Sequence, residues 1–251
     1  MKTHCIIVSG VHSAVDKVGL AKEIQKNIKG SSYKYLDPCL NVLKPKTKNY
    51  TTIGQIMDNI IVKERRGDYL GATVQVTPHV TEAIREWIVD TDAKKSITVI
   101  GGNLGDMENL VCIEAIREMR MKENTKIILY APVPYLEKAG ELKTKPVPHA
   151  TKEAMKQGVH PDALCLDSDK ELRDPELKKI ELYTAVAKKN IVWHTNGIKD
   201  CAKKLTRIIY GLYYKQYNFL CKLDASLFHT CWLCYALGNT NNFIQSHYTF
   251  Y

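Results

Sequence analysis

Short apolar runs recur along the chain and alternate with amphipathic segments. Cys5–Val8, Tyr33–Leu36, Thr73–Val76, Ile97–Ile100, Ile127–Tyr130, Ala163–Leu166 and Ile191–His194 read as strands. Apolar positions at helical spacing predict helices over Leu20–Ile28, Gln55–Glu64, Val80–Val89, Leu110–Met121, Ala150–Gln157 and Glu176–Val186. Strands alternating with helices predict an α/β domain of three layers, with a mainly parallel sheet covered by helices on both faces. In such sheets ligands collect at the carboxyl ends of the strands.

The rhythm stops near residue 200. Beyond it the chain is rich in Tyr and Cys and poor in acidic residues, as in Ile209-Tyr210-Gly211-Leu212-Tyr213-Tyr214. The expected division is a domain over 1–199 and a divergent tail over 200–251. That tail packs as a helix on the core or forms an unrelated extension.

Composition narrows the setting. Of 251 residues, 45% are apolar, enough for a sizeable core. The net charge of +9 suits anionic partners. The Lys and Arg are scattered rather than massed, so the expectation is nucleotides, with no nucleic acid and no membrane. Cys5, Cys39, Cys112 and Cys165 stand singly among apolar neighbours, as reduced core cysteines do. Cys231 and Cys234 form one CxxC beside His229, short of the four ligands a structural zinc requires; no metal site is expected. Met1-Lys2-Thr3-His4 leads straight into a strand, and no apolar run approaches the ~18 residues that span a bilayer. A cytoplasmic location follows as the expectation.

Five segments carry candidate chemistry. The first strand runs into Ser9-Gly10-Val11-His12-Ser13-Ala14-Val15-Asp16-Lys17-Val18 and then a helix. A strand, loop and helix start with a lysine is how P-loop proteins hold phosphate on backbone N–H groups. The GxxxxGK[ST] pattern itself is not met. Leu36-Asp37-Pro38-Cys39-Leu40-Asn41-Val42 follows the second strand. Lys63-Glu64-Arg65-Arg66-Gly67-Asp68-Tyr69-Leu70-Gly71 sets five charged residues against two glycines before Ala72-Thr73-Val74-Gln75-Val76-Thr77-Pro78-His79. Arg65, Arg66 and Asp68 are placed for charge-assisted pairing. A buried strand ends in Gly101-Gly102-Asn103-Leu104-Gly105-Asp106-Met107-Glu108, where glycines admit close backbone approach. Gly140-Glu141-Leu142-Lys143-Thr144-Lys145-Pro146 brackets a threonine with lysines before a helix, which suits a triphosphate.

Together, over roughly residues 4–195, these segments resemble the synthase (amidoligase) domain of CTP synthases. That family aminates UTP to CTP at the expense of ATP. The resemblance implies a P-loop-like domain that uses magnesium-ATP, with Lys17 as the catalytic lysine on ATP phosphates. Gly10, Ser13, Ala14, Val15, Asp16, Lys17 and Val18 would form the ATP phosphate loop. Ser13, Asp106, Met107, Glu108, Lys143, Thr144, Lys145, Pro146 and Lys179 would hold UTP or CTP, with Gln75 and His79 near the rim. Partners implied are UTP, CTP and ATP, in a homo-oligomer or a hetero-assembly with a CTP synthase.

The departures from the family pattern are chemical. Asp16 and Val18 replace the glycines flanking the loop lysine. At ~4 Å and an effective dielectric near 20, a carboxylate beside a phosphate charge costs about 4 kcal/mol before screening. Unless Asp16 turns away, ATP is expected to bind poorly. Tyr35 and Pro148 replace a lysine and a glutamine. A short Lys/Pro-rich bridge around 43–50 replaces the family's DxGxExDLDLGxYERF stretch, which holds one magnesium-binding aspartate. Val99 stands where the family has the second magnesium ligand, and valine offers no oxygen to magnesium. The protein ligands for magnesium are therefore absent from the sequence. Two readings follow. One is an ATP-dependent C–N ligase supplied with ammonia. The other is a catalytically degenerate paralogue that binds UTP or CTP, or co-assembles with CTP synthase.

Overall fold

Strand residues alternate between two cores, and that alternation builds the molecule. The structure, a computed structural model, describes residues 2–10, 15–195 and 197–211. On β1 (Thr3–Ser9), Ile6 and Val8 enter one apolar cluster while Cys5 and Ile7 enter the other. On β5 (Asn124–Val133), Ile127, Leu129 and Ala131 face the first cluster, and Ile128 and Tyr130 the second. The period of two along each strand supplies both faces of a sheet buried on both sides.

Seven strands form one parallel sheet in the order β3-β2-β4-β1-β5-β8-β9. The others are β2 (Ser32–Asp37), β3 (Tyr50–Thr52), β4 (Lys95–Ile100), β8 (Ala163–Ser168) and β9 (Ile191–His194). The antiparallel pair β6 (Tyr135–Leu136) and β7 (Glu141–Leu142) stands apart from it. Helices α2 (Ile53–Arg65), α3 (Thr81–Val89), α4 (Leu110–Lys122), α5 (Pro146–Lys156) and α6 (Asp174–Thr184) contribute to the first cluster. Helices α1 (Lys17–Lys26) and α7 (Lys199–Tyr210) close the second. The fold is thus the expected three-layer α/β architecture.

Local signals set the ends of these helices. Thr52 and Gln55 form a reciprocal capping box at the start of α2, satisfying two N–H groups the helix leaves unpaired. Pro146 opens α5, where a missing N–H costs nothing.

One sequence expectation changes, and one left open is narrowed. Thr73–Val76 is not a strand; residues 72–75 are irregular and Val76 begins a helical turn. The segment pairs with no strand, Val76 is 52% exposed, and Gln75 N–H donates instead to His79 Nδ1 at 3.1 Å. Lys199–Tyr210, read as the start of the tail, forms α7. It buries Cys201, Ala202, Leu205, Thr206 and Ile209, and the compact unit it completes ends at Tyr210.

Candidate functional site

The carboxyl ends of β1 and β4 are joined by one side-chain network. Ser9, almost fully buried at the end of β1, donates from Oγ to the Gly102 carbonyl at 2.7 Å. Asn109 Nδ2 donates to the carbonyls of Gly101 at 2.9 Å and Asn103 at 2.8 Å. The Asp106 carboxylate accepts from Asn103 N–H at 2.9 Å. These bonds lock the turn after β4. Gly101 is required there, since a Cβ would lie 2.7 Å from Pro38 Cδ and 2.9 Å from the Tyr35 hydroxyl. Gly102 has φ of +60°, a left-handed conformation that glycine adopts at no cost.

Lys17 reaches into this turn from the first turn of α1. Its ammonium donates to Ser9 Oγ at 2.9 Å, to the Ile100 carbonyl at 2.7 Å and to the Gly102 carbonyl. An ammonium has three hydrogens, so all of its donors are engaged. Burial pulls its pKa down to about 8, opposed by the nearby Asp106 carboxylate.

Asp16 caps the helix that carries Lys17. Its Oδ1 accepts from Gly19 N–H at 2.7 Å. The carboxylate thereby answers the positive end of α1, where an external anion would otherwise find free N–H groups. Val15 packs into the core against the α1 face. Gly10 is pressed against Ala150 of α5, which a Cβ at Gly10 would meet at 2.7 Å. Val18 is half-buried on α1. Ser13 and Ala14 lie outside the described residues.

Beside this network the surface opens into two adjoining cavities. One, of about 620 Å³, is lined by Asp37, Pro38, Cys39, Leu40, Gly102, Asp106 and Glu108. The other, of about 440 Å³, shares Pro38, Leu40 and Glu108 and adds the apolar side chains of Ile53, Met57, Val76, Met107 and Leu110. Asp106, Met107 and Glu108 are therefore brought together on one wall. Thr77 lines the second cavity, while His79 stacks edge-on against Tyr69 at 5.3 Å.

Lys143, Thr144, Lys145 and Pro146 stand together elsewhere, between β7 and α5. Lys143 N–H donates to the Pro134 carbonyl at 2.8 Å, and its ammonium lies 3.7 Å from Glu141. Thr144 is 4% exposed, and its carbonyl accepts from Val147 N–H at 3.1 Å. Lys179 projects from an exposed face of α6. Neither the 143–146 turn nor Lys179 lines the two cavities.

Lys44 is a participant that sequence reasoning passed over. The bridge folds back so that Lys44 Nζ donates to Asp37 Oδ2 at 2.9 Å, and the Tyr50 hydroxyl donates to the same oxygen at 2.8 Å. Cys39 N–H donates to Oδ1 at 3.1 Å. Burial alone would raise the Asp37 carboxyl; the bonds from Lys44, Cys39 and Tyr50 outweigh it and hold the pKa at about 2. The Tyr50 ring also stacks on Tyr35, centroids 5.9 Å apart. Cys39 itself is a free thiol, half-buried at the cavity wall rather than in the core.

These residues do not fit a magnesium ion. The carboxylate nearest the bridge already holds an ammonium, whose charge repels a divalent cation. Val99 is fully buried in the core against the α1 face. Among the described residues no group of three or more His, Cys, Asp or Glu is arranged to hold a metal. No described helix is long and apolar enough to cross a membrane.

A family model described as CTP synthase N-terminus matches residues 33–207. The match begins past β1, the loop and α1, and it spans the Asp37 segment, the turn after β4, the 143–146 turn and nearly all of α7. With this match over most of the chain, carried on the same three-layer fold, the chain belongs to the CTP synthase N-terminal domain family.

Proposed function

We propose that this chain is a pyrimidine nucleoside triphosphate-binding member of the CTP synthase family whose phosphoryl-transfer half is closed. Membership sets it among CTP synthase-like ligases of CTP biosynthesis. One observation carries the finer reading: Lys17 spends all three ammonium donors on Ser9 and two strand-end carbonyls, while Asp16 caps the helix behind it. A triphosphate at this point meets a lysine whose donors are already engaged and a carboxylate that repels it. Phosphoryl transfer also relies on a metal to neutralise developing charge, and the Lys44–Asp37 pair opposes one.

The nucleotide-holding residues are a different matter. Asp106, Met107 and Glu108 line an open cavity, and Lys143, Thr144, Lys145 and Pro146 form a basic turn leading into α5. On this reading they contact UTP or CTP, with Lys179 as an outlying contact. The chain then acts by binding nucleotide, or within a homo-oligomer or a hetero-assembly with a CTP synthase. The second reading, ATP-dependent amination of UTP, is favoured by the position of Lys17 between the ends of β1 and β4 and by its pKa near 8.

One assay separates the two. Purified protein receives UTP, ATP, magnesium and ammonium chloride, and CTP formation is followed; in parallel, UTP alone is scored for its effect on the melting temperature. The expected result is no CTP and a rise in melting temperature with UTP that Lys143→Ala/Lys145→Ala abolishes. CTP formation abolished by Lys17→Ala would establish amination instead. No shift at millimolar UTP would remove the binding reading.

A further inference from the structure

Helices α2 and α3 enclose a third cavity of about 290 Å³ that shares no residue with the two at the strand ends. Its floor is apolar, built from Ile60, Ala83 and Trp87, and its rim carries Asn59, Lys63 and, from the bridge, Lys46. The sequence explains the arrangement. Asn59 and Lys63 are four apart on α2 and share a face, as do Ala83 and Trp87 on α3. The bridge then lays Lys46 across the opening.

A lysine stands against the Trp87 ring. The buried Lys34 ammonium sits 4.8 Å from its centroid and donates to the carbonyls of Trp87 and of Asp90, the latter at 2.7 Å. This fixes an aromatic surface in a groove of small-ligand scale. The rim charge is only partly paired. Arg66, at the same rim, pairs with Asp68 at 2.6 Å. Among the described residues neither Lys46 nor Lys63 forms an ion pair. Two free ammonium groups over one small cavity call for a compact, highly charged anion, and lysine meets phosphate as a point charge. An aromatic floor calls for a planar ring, and the Asn59 amide offers a donor and an acceptor to a ring edge.

We propose that the α2–α3 groove binds a nucleoside phosphate of mononucleotide size, with the phosphate between Lys46 and Lys63 and the base on Trp87. This goes beyond the nucleotide reading of the strand-end cavities and stands without it.

The test uses the full chain titrated with AMP, UMP and inorganic phosphate while tryptophan emission is read. The expected result is quenching by a mononucleotide at one equivalent, weakened by added salt and absent in Trp87→Phe. Lys46→Ala/Lys63→Ala should weaken binding at least tenfold, and Lys143→Ala/Lys145→Ala should leave it unchanged. Because Lys46 and Lys63 are exposed, their variants keep the fold, so the affinity loss is readable by calorimetry even if Trp87→Phe is unstable. Four results would overturn the proposal. They are no binding at millimolar nucleotide; equal binding of inorganic phosphate, which would leave the ring without a role; binding indifferent to Lys46 and Lys63; and a dimer that Lys63→Glu dissociates, which would make the groove a contact between copies.

Discussion

Asp16 accepts from Gly19 N–H at 2.7 Å, and this one bond both starts α1 and fills its positive end with a carboxylate. The two roles are separable. Asparagine caps helices about as well as aspartate, but it carries no charge to repel a phosphate. Asp16→Asn should therefore keep the melting temperature within a degree or two and tighten ATP binding at least tenfold by calorimetry. Unchanged affinity would mean that the Asp16 charge is not what excludes the triphosphate. Lys17 offers an independent handle. Its pKa falls from 10.5 unfolded to about 8 folded, so between those values the unfolded chain binds more protons and stability rises with pH. The cost of burying the ammonium is fully present below pH 8 and is relieved by pH 10.5. It amounts to about 3 kcal/mol at 1.36 kcal/mol per unit. The unfolding free energy of the native chain, measured against Lys17→Met by urea titration, should gain on the variant by up to that amount between pH 7.5 and 10.5. A gap that stays flat across this range would show that Lys17 is solvated and its three bonds are not maintained.

At the scale of elements, apolar spacing placed every expected helix, because each buries one stripe against the sheet. The failures have physical causes. Thr73–Val76 has the alternation of a strand, but alternation records which side chains suit a pleat, not whether a neighbour exists to pair with it. The first turn of α5 was missed because Pro146-Val147-Pro148 looks like a loop, although proline is at home at the first helical position. The tight turn after β4 was legible, since paired glycines at a strand end admit close backbone packing and a positive φ. The locks on the site were not. Asp16 as a cap depends on a backbone conformation, and the Lys44–Asp37 pair depends on how the bridge folds back; neither follows from residue spacing. The bridge places two lysines. Lys44 stands against Asp37, and Lys46 lines the α2–α3 groove.

Across the whole molecule, the two cores are unequal in what closes them. Among the described residues, the first is sealed by five helices and the second by α1 and α7. The change of character near residue 200 suggests a boundary at 199, yet Leu205 and Ile209 of α7 lie at 0% and 5% exposure against the sheet. The Tyr210 hydroxyl also donates to the Ser96 carbonyl at 2.8 Å, tying the end of α7 to the start of β4. Burying two such side chains contributes about 3–6 kcal/mol, comparable with the whole stability of an ordinary domain at ~5–15 kcal/mol. The folding unit should therefore run through Tyr210. A chain ending at Gly211 is expected to melt cooperatively, and one ending at Ile198 to lose its cooperative transition and bind a hydrophobic dye. The substitution Leu205→Ala should fall between them, costing about 2–5 kcal/mol in urea unfolding. A cooperative, dye-free chain ending at Ile198 would show that α7 is dispensable and that the second core is closed by α1 alone.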